Sequence, residues 1–197
     1  MDDSAVPRVF LLSPASVRGI RGGRILAGES GADFAGSLHS GSAIPLGDIY
    51  AFISSLYYRG KRAYARAFGR ADAADPVQVI TPDRGLLPDL HPVTLDDLRR
   101  FARLDLGPAN RIYMDALLGS AAELAERLPA RAEFVLLGSI ATGKYLDPLA
   151  EVFGERLLVP ESFVGRGNMS RGGLMLRAVD AGRELRYVVA ESAARRG

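Results

Sequence analysis

The sequence of 197 residues has the length of one domain, and its 48% hydrophobic residues suffice for an ordinary core. It contains no cysteine and only two histidines, which excludes disulfides and thiolate chemistry and argues against a multi-histidine metal site. The net charge of +2 does not by itself indicate a nucleic-acid partner, and no apolar run approaches the roughly 20 residues that span a bilayer. The acidic start lacks the features of a signal peptide, so we expect a cytoplasmic protein without a membrane segment.

The first part of the chain predicts a buried strand, a long loop and a helix. Arg8–Leu12 is a short apolar run that ends at Ser-Pro, which is typical of a buried strand. The segment 13–45 has seven glycines and almost no periodicity, so we predict a long functional or mobile loop that leaves room for a short strand at 24–27. Apolar residues at helical spacing predict a helix over 47–68.

The sequence contains a cluster of aromatic residues and several clusters of basic residues. The aromatic cluster and the basic clusters each allow two interpretations. Six aromatic residues of the predicted helix form either a core-facing stripe, which their spacing favours, or a platform for stacking bases. They are Tyr50, Phe52, Tyr57, Tyr58, Tyr64 and Phe68. Basic residues are concentrated at 18–24, 59–66 and 166–171, which indicates either contacts with nucleic acid or an arginine-rich, high-GC composition.

The rest of the chain alternates between predicted strands and helices. Thr94 and Asp97 have the spacing of a capping box, which predicts where one of these helices begins. Ser170 is predicted to cap another. The predicted strands are 77–80, 133–137, 156–159 and an edge strand within 185–189, and the predicted helices are 95–104, 112–128, a helix that ends at 153, and 171–181.

This alternation predicts an α/β fold. We expect one domain over 1–197, built as a three-layer sandwich whose mostly parallel central sheet of about four or five strands has helices on both faces. In such sheets ligands bind beyond the carboxyl ends of the strands. Four loops should therefore converge on the functional surface, namely 13–45, 81–92, 138–144 and 160–173.

The loop 138–144 reads Gly-Ser-Ile-Ala-Thr-Gly-Lys and matches the phosphate-loop pattern after a strand. Tyr145 stands where serine or threonine would bind magnesium, which argues against hydrolysis of nucleoside triphosphates. The pattern fits an anion site at the start of a helix, with Ser139, Thr142 and Lys144 as candidate ligands for phosphate. It fits equally a turn whose glycines allow tight packing.

A second glycine-rich segment, 162–173, contributes Ser162, Arg166, Ser170 and Arg171 as candidate phosphate ligands. Its last two residues are glycines within the first turn of a predicted helix, where glycine is unfavourable. They make sense if another backbone or a phosphate must approach closely. The alternative is a flexible loop with solvated arginines.

Three carboxylates are candidates for catalysis. Glu161 and Asp83 directly follow predicted buried strands, and Asp48 lies at the start of the first predicted helix. Asp48 also suits the helix dipole, and Asp83 is a natural turn residue. Glu29 and Asp33 in the long loop are the next candidates.

The second half of the chain resembles the uracil-DNA glycosylase superfamily. The resemblance lies in Val-Leu-Leu-Gly-Ser-x-Ala at 135–141, the helix that follows, and Glu-Arg-Leu-Leu-Val-Pro-Glu-Ser at 155–162. In that family a strand ending in Leu-Gly precedes a helix, and a later strand ends in a His-Pro-Ser-type motif whose loop enters DNA. The chain departs from the family at 13–16, where Ser-Pro-Ala-Ser lacks the activating acid, and in having no histidine before the last triplet. Specificity for uracil is therefore not implied.

The resemblance implies a DNA glycosylase that excises a base, expected to be a modified one, in DNA repair or in defence against phage. Such an enzyme stabilises an oxocarbenium-like state with a carboxylate, extrudes the base from the stack, and needs no cofactor. The alternative from the residues themselves is a nucleotide- or nucleoside-binding Rossmann-like protein, enzymatic or regulatory, that uses 138–144 for phosphate. The sequence leaves the oligomeric state open.

Overall fold

The computed structural model describes residues 6–139 and 143–194, and its centre is a six-stranded sheet. The strand order is β4-β3-β1-β6-β7-β8; the four inner strands are parallel and each edge strand is antiparallel to its neighbour. A separate two-stranded ladder pairs β2 with β5. The strands are β1 Arg8–Leu12, β2 Ile44–Pro45, β3 Val77–Thr81, β4 Gly85–Pro88, β5 Pro92–Val93, β6 Glu133–Leu137, β7 Leu157–Pro160 and β8 Tyr187–Val189.

Helices cover both faces of this sheet. The helices are α1 Ile20–Ala27, α2 Ala35–His39, α3 Leu46–Phe68, α4 Leu95–Arg103, α5 Arg111–Arg127, α6 Leu146–Phe153, α7 Asn168–Asp180 and α8 Ala190–Ala194. Side chains of β1 alternate between two cores: Phe10 and Leu12 pack with α1, α3, α4 and α7, whereas Val9 and Leu11 pack with α5, α6 and α8. The predicted three-layer α/β architecture is confirmed, with six strands instead of four or five.

The prediction of a long loop over 13–45 was wrong, because α1, α2 and β2 lie within it. The strand considered at 24–27 is the end of α1. Glycines concealed this helix, yet Gly22 serves its packing, since a Cβ there would lie 2.1 Å from the carbonyl oxygen of Val17. Ile25, fully buried, anchors the helix in the core.

Other boundaries follow the sequence with local corrections. The capping box of Thr94 and Asp97 is present at the start of α4. Ser170 is not an N-cap, because α7 begins two residues earlier and is capped by Gly167. The antiparallel strand β4 was not predicted.

Within the described residues, no helix has both the length and the apolar character that crossing a membrane requires.

Candidate functional site

The carboxyl ends of β1 and β6 lie side by side at the centre of the sheet. From β1 the chain crosses to β3 on one side, and β6 and β7 continue the sheet on the other. This is the topological switch point, where open α/β sheets form a crevice. Ser13 follows β1 and Gly138 follows β6, and a Cβ on Gly138 would lie 3.1 Å from the Cβ of Ser13. The two strand ends are therefore in close contact.

Beside this point a cavity of about 350 Å³, here called the strand-end pocket, opens beyond β1 and β3. Its volume is in the range of small-molecule sites. Three of the four loops predicted to converge contribute to it: 13–45, 81–92 and 138–144. Among the described residues, the segment 160–173 adds nothing to its lining. The lining residues are Pro14, Ala15, Ser16, Val17, Arg18, Tyr50, Pro82, Phe101, Leu104, Asp105, Leu106, Lys144 and Tyr145.

Three aromatic side chains, Tyr50, Phe101 and Tyr145, form much of the pocket wall. All three are almost fully buried. Burial raises the pKa of Tyr145 to about 12 and raises that of Tyr50 as well. Both hydroxyls therefore stay neutral at physiological pH. The pocket thus combines flat apolar surfaces with neutral hydroxyl groups, a combination that suits a planar heterocycle.

Charged groups lie at the rim. Arg18 donates to the carboxylate of Asp105 at 2.7 Å and to the carbonyl oxygen of Ala102 at 2.7 Å. The ammonium group of Lys144 lies 4.9 Å from the ring centroid of Tyr145. Both Arg18 and Lys144 line the pocket, but Asp105 neutralises Arg18, so Lys144 is the lining cation without an ion pair among the described residues.

Asp83 is the predicted acid nearest to this pocket. Its Oδ2 accepts a hydrogen bond from Nε of Arg100 at 2.9 Å, whereas its Oδ1 is buried and has no partner among the described residues. The negative charge of Asp83 is one of the causes that raise the pKa of Tyr50, after burial and Tyr145. Asp83 thus follows the lining residue Pro82 in the chain and acts electrostatically on Tyr50, but it does not itself line the pocket.

The other two predicted acids lie outside the pocket lining. Glu161 begins a short 3-10 helix after β7 and is half-exposed, with Arg186 at 3.5 Å. Asp48 in the first turn of α3 pairs with Arg62 at 2.6 Å, and Arg62 also binds Asp89. The arrangement brings Asp83 towards the pocket and leaves Glu161 and Asp48 in ion pairs elsewhere.

The predicted phosphate ligands divide into exposed and buried groups. Lys144 lies at the pocket rim, and Ser139 is half-buried beside Gly138. Arg166 and Ser170 are exposed, and their side chains are joined by a hydrogen bond of 3.3 Å. Thr142 lies outside the described residues.

Arg171 and Ser162 point inward. Arg171 is only 7% exposed, and its guanidinium donates to the carbonyl oxygens of Phe163 at 2.8 Å and Gly138 at 3.4 Å. The hydroxyl of Ser162 is buried without a partner among the described residues. Arg171 therefore belongs to the interior at the end of β6, whereas the sequence placed it on a surface that faces phosphate.

Lys61 was grouped with the basic cluster of 59–66, but it differs from the rest of that cluster. It is fully buried, and its ammonium group donates to the carbonyl oxygen and hydroxyl of Ser13 at 2.5 and 2.9 Å. It also lies over the rings of Tyr57 and Tyr58, at 4.6 and 4.9 Å from their centroids. Burial lowers the pKa of Lys61 to about 7.

The sequence contains a signal that Lys61 is buried, which the grouping of basic residues by position did not use. Lys61 stands four residues after Tyr57 and three before Tyr64, on the apolar stripe of α3. A charged residue within an apolar stripe is either buried or functional, whereas Arg62 and Arg66 beside it lie in ion pairs with Asp89.

Comparisons of the chain with models of protein families, with curated protein sequences and with solved structures found no match. The function is therefore inferred from the geometry of the strand-end pocket and its neighbours.

Proposed function

We propose that the protein hydrolyses an N-glycosidic bond in DNA and holds the excised base in the strand-end pocket. The observation that carries the proposal is the wall of Tyr50, Phe101 and Tyr145, with Asp83 next in the chain to the lining residue Pro82. Flat aromatic walls suit an extruded base, which is recognised by stacking and by hydrogen bonds to its edge.

Asp83 is the acid that best fits the chemistry. Arg100 binds one of its oxygens, and the other has no partner among the described residues. That second oxygen is buried and does not line the pocket, so the proposal requires that DNA binding uncover it, after which it would stabilise a sugar cation or orient water. In the hydrolysis, the bond between the anomeric carbon and the base nitrogen breaks, and the electron pair leaves with the base. The oxygen of water bonds to the anomeric carbon, and one proton of that water passes to the released base.

Two cations near the pocket support a polyanionic substrate. Lys144 lines the pocket and Arg166 is exposed beyond the end of β7, whereas Arg18 is paired with Asp105. Positive groups around a pocket attract the phosphate backbone and position it, without selecting a sequence. Each group of this kind adds to the salt dependence of binding.

A second candidate function is binding of a free nucleotide without hydrolysis. The observation in its favour is that Asp83 does not itself line the pocket, whereas Lys144 does. In that case the aromatic walls hold the base and Lys144 contacts the phosphate of the same nucleotide.

One experiment separates the two functions. DNA duplexes carrying different modified bases are incubated with the protein, abasic sites are cleaved with alkali, and released bases are analysed. Strand cleavage together with a released base supports the glycosidase. Binding of mononucleotides, with no base released from any duplex, supports the second function.

A further inference from the structure

Two cationic side chains are buried at the same pair of strand ends. Lys61 is 1% exposed and donates to Ser13, which follows β1. Arg171 is 7% exposed and donates to Gly138, which follows β6. Because Ser13 and Gly138 are in contact, the two cations flank one point of the molecule.

Neither cation forms a salt bridge within the part of the chain that the structure describes. The protein acceptors of Lys61 are the carbonyl oxygen and hydroxyl of Ser13, and those of Arg171 are two carbonyl oxygens. A buried charge without a counter-charge is costly, and neutral dipoles offset that cost only in part. Two such cations at one place therefore lack a compensating anion.

The groups around them are hydrogen-bond donors without acceptors. Tyr57 lies between the cations: its ring is 4.6 Å from the ammonium group of Lys61. Burial raises the pKa of the Tyr57 hydroxyl, and the Arg171 guanidinium, as a hydrogen-bonding group and as a positive charge, offsets part of that rise. Arg171 therefore approaches this hydroxyl without forming a well-aligned hydrogen bond, and the hydroxyl of Ser162 is buried with no partner among the described residues. A buried polar atom without a partner is uncommon and is usually satisfied by a water, an ion or a ligand.

We propose that Lys61, Arg171 and Tyr57 form a binding site for a tetrahedral oxyanion, a phosphate group, at the carboxyl ends of β1 and β6. A doubly charged anion would balance both cations, and its four oxygens would accept from the ammonium, guanidinium and phenol groups. The proposal stands apart from base release, because a nucleotide, a DNA phosphodiester and free phosphate share this chemistry.

The titratable groups around the site give it a defined dependence on pH. Those facing Lys61 are Tyr57 and Tyr58 of α3, with Arg171 of α7 and Tyr145 before α6 beyond the ring of Tyr57. Burial raises the pKa of all three tyrosines, so they remain neutral where Lys61, with a pKa of about 7, titrates. An anion binds the protonated lysine better, so its affinity falls as the pH rises through 7.

The test uses sulfate, whose double charge does not change near neutral pH, and thermal unfolding of the full chain. At about pH 6, sulfate is expected to raise the Tm by at least about 3 °C over chloride of equal ionic strength. At about pH 9 the rise should shrink by at least half, because Lys61 is then neutral. In Lys61→Met the rise should fall at both pH values to the small general effect that sulfate has on folded proteins. In the control Arg59→Met, an exposed cation two residues away on the same helix, it should be unchanged.

A second variant tests the site even if Lys61→Met does not fold. Tyr57→Phe removes a hydroxyl that has no partner in the described structure, so the fold is expected to persist while sulfate affinity falls at least about threefold. Equal Tm shifts by sulfate in the wild type, Lys61→Met and Tyr57→Phe would overturn the proposal, as would no shift in the wild type.

The source of the phosphate is resolved by three probes in the same assay. Inorganic phosphate, deoxyadenosine monophosphate, and an oligonucleotide without a terminal phosphate are compared in the wild type and in Lys61→Met. A shift that depends on Lys61 with the oligonucleotide identifies a phosphodiester, and one with the mononucleotide alone identifies a terminal phosphate. A Lys61-dependent shift with every phosphate probe supports a general phosphate site. If none of the three probes gives a Tm shift that depends on Lys61, the proposal is overturned.

Discussion

Gly60 of α3 and Gly172 of α7 pack backbone against backbone, so closely that a Cβ on Gly60 would lie 2.7 Å from the carbonyl oxygen of Gly172. Lys61 directly follows the first glycine, and Arg171 directly precedes the second. The helix crossing therefore fixes both buried cations at the strand ends. The sequence suggested that a glycine at the start of α7 allows close approach of either another backbone or a phosphate. At Gly172 the structure shows the approach of another backbone, that of α3.

Gly60→Ala should lower the free energy of unfolding by about 1–3 kcal/mol, because the methyl group forces two backbones apart. The matched control is Gly173→Ala, whose Cβ would meet only the end of the Arg177 side chain, at 3.3 Å. Since Gly173 lies inside α7, alanine there should raise stability by up to about 1 kcal/mol. Urea unfolding measures both changes, and equal stability of the two variants would contradict the close crossing.

The buried Lys61 should make stability depend on pH. Its pKa falls from 10.5 to about 7 on folding, so the folded state disfavours the protonated form. Its stabilising effect is therefore complete above pH 10.5 and is lost as the pH falls through 7. Relative to Lys61→Met, the wild type should gain several kcal/mol (~3–5) between those limits.

Urea unfolding of the wild type and Lys61→Met at a series of pH values, without multivalent anions, measures this difference. Arg59→Met serves as the control, because an exposed arginine should leave the pH profile unchanged. A constant difference between the wild type and Lys61→Met across the series would show that the lysine keeps its ordinary pKa on folding.

Arg166 and Arg171 should behave differently, although the sequence suggested one role for both. Arg171→Ala leaves the carbonyl oxygens of Phe163 and Gly138 without this donor, so it should cost about 1–3 kcal/mol of stability. Arg166→Ala should leave stability unchanged within about 0.5 kcal/mol and reduce the salt slope of DNA binding by about one. Similar salt slopes for Arg166→Ala and the wild type would remove Arg166 from the DNA surface.

Lys144→Ala should weaken DNA or phosphate binding modestly, by about one unit of salt slope, because Lys144 lies at the rim of the pocket. Since Tyr145 replaces the hydroxyl that would bind magnesium, the wild type should show no triphosphatase activity for this change to remove. Magnesium-dependent ATP hydrolysis by the wild type, abolished in Lys144→Ala, would contradict this assignment.

The sequence predicted the elements that rest on strong periodicity. The strands Arg8–Leu12 and Glu133–Leu137 each consist of one charged residue and a continuous apolar run, and both have their predicted limits in the structure. Short helices rich in glycine were missed because their packing partners lie elsewhere in the chain. The helix α1, for example, packs against α3 and α4, which no local pattern reveals.

The candidate site was predictable only at the level of loops. Asp83 and Lys144 were predicted as site residues because each lies in a loop that follows a predicted strand. In the structure Lys144 lines the strand-end pocket, and Asp83 follows the lining residue Pro82. The wall residue Phe101 comes from α4, which no loop pattern indicated. Whether an arginine is exposed, like Arg166, or buried, like Arg171, depends on tertiary packing, and their sequence environments are nearly the same.

The central claim, glycosidic cleavage at the strand-end pocket, is tested most directly at Asp83. The change Asp83→Asn preserves shape and an acceptor for Arg100 but removes the charge, so base release should fall at least about a hundredfold while DNA binding stays nearly intact. Asp105→Asn, at the rim of the same pocket, is the matched control and should keep activity within about threefold. Glu161→Gln and Asp48→Asn test the two remaining predicted acids.

The measurement is the single-turnover rate of base release, with the wild type and these four variants, on a duplex that the wild type cleaves. The account predicts loss of activity in Asp83→Asn alone. Full activity of Asp83→Asn would contradict the assignment: loss in Glu161→Gln or Asp48→Asn would then place the catalytic charge there, and full activity in all of them would direct the search to Asp33 and Glu29. If no duplex releases a base with the wild type while mononucleotides bind, the glycosidase proposal itself fails.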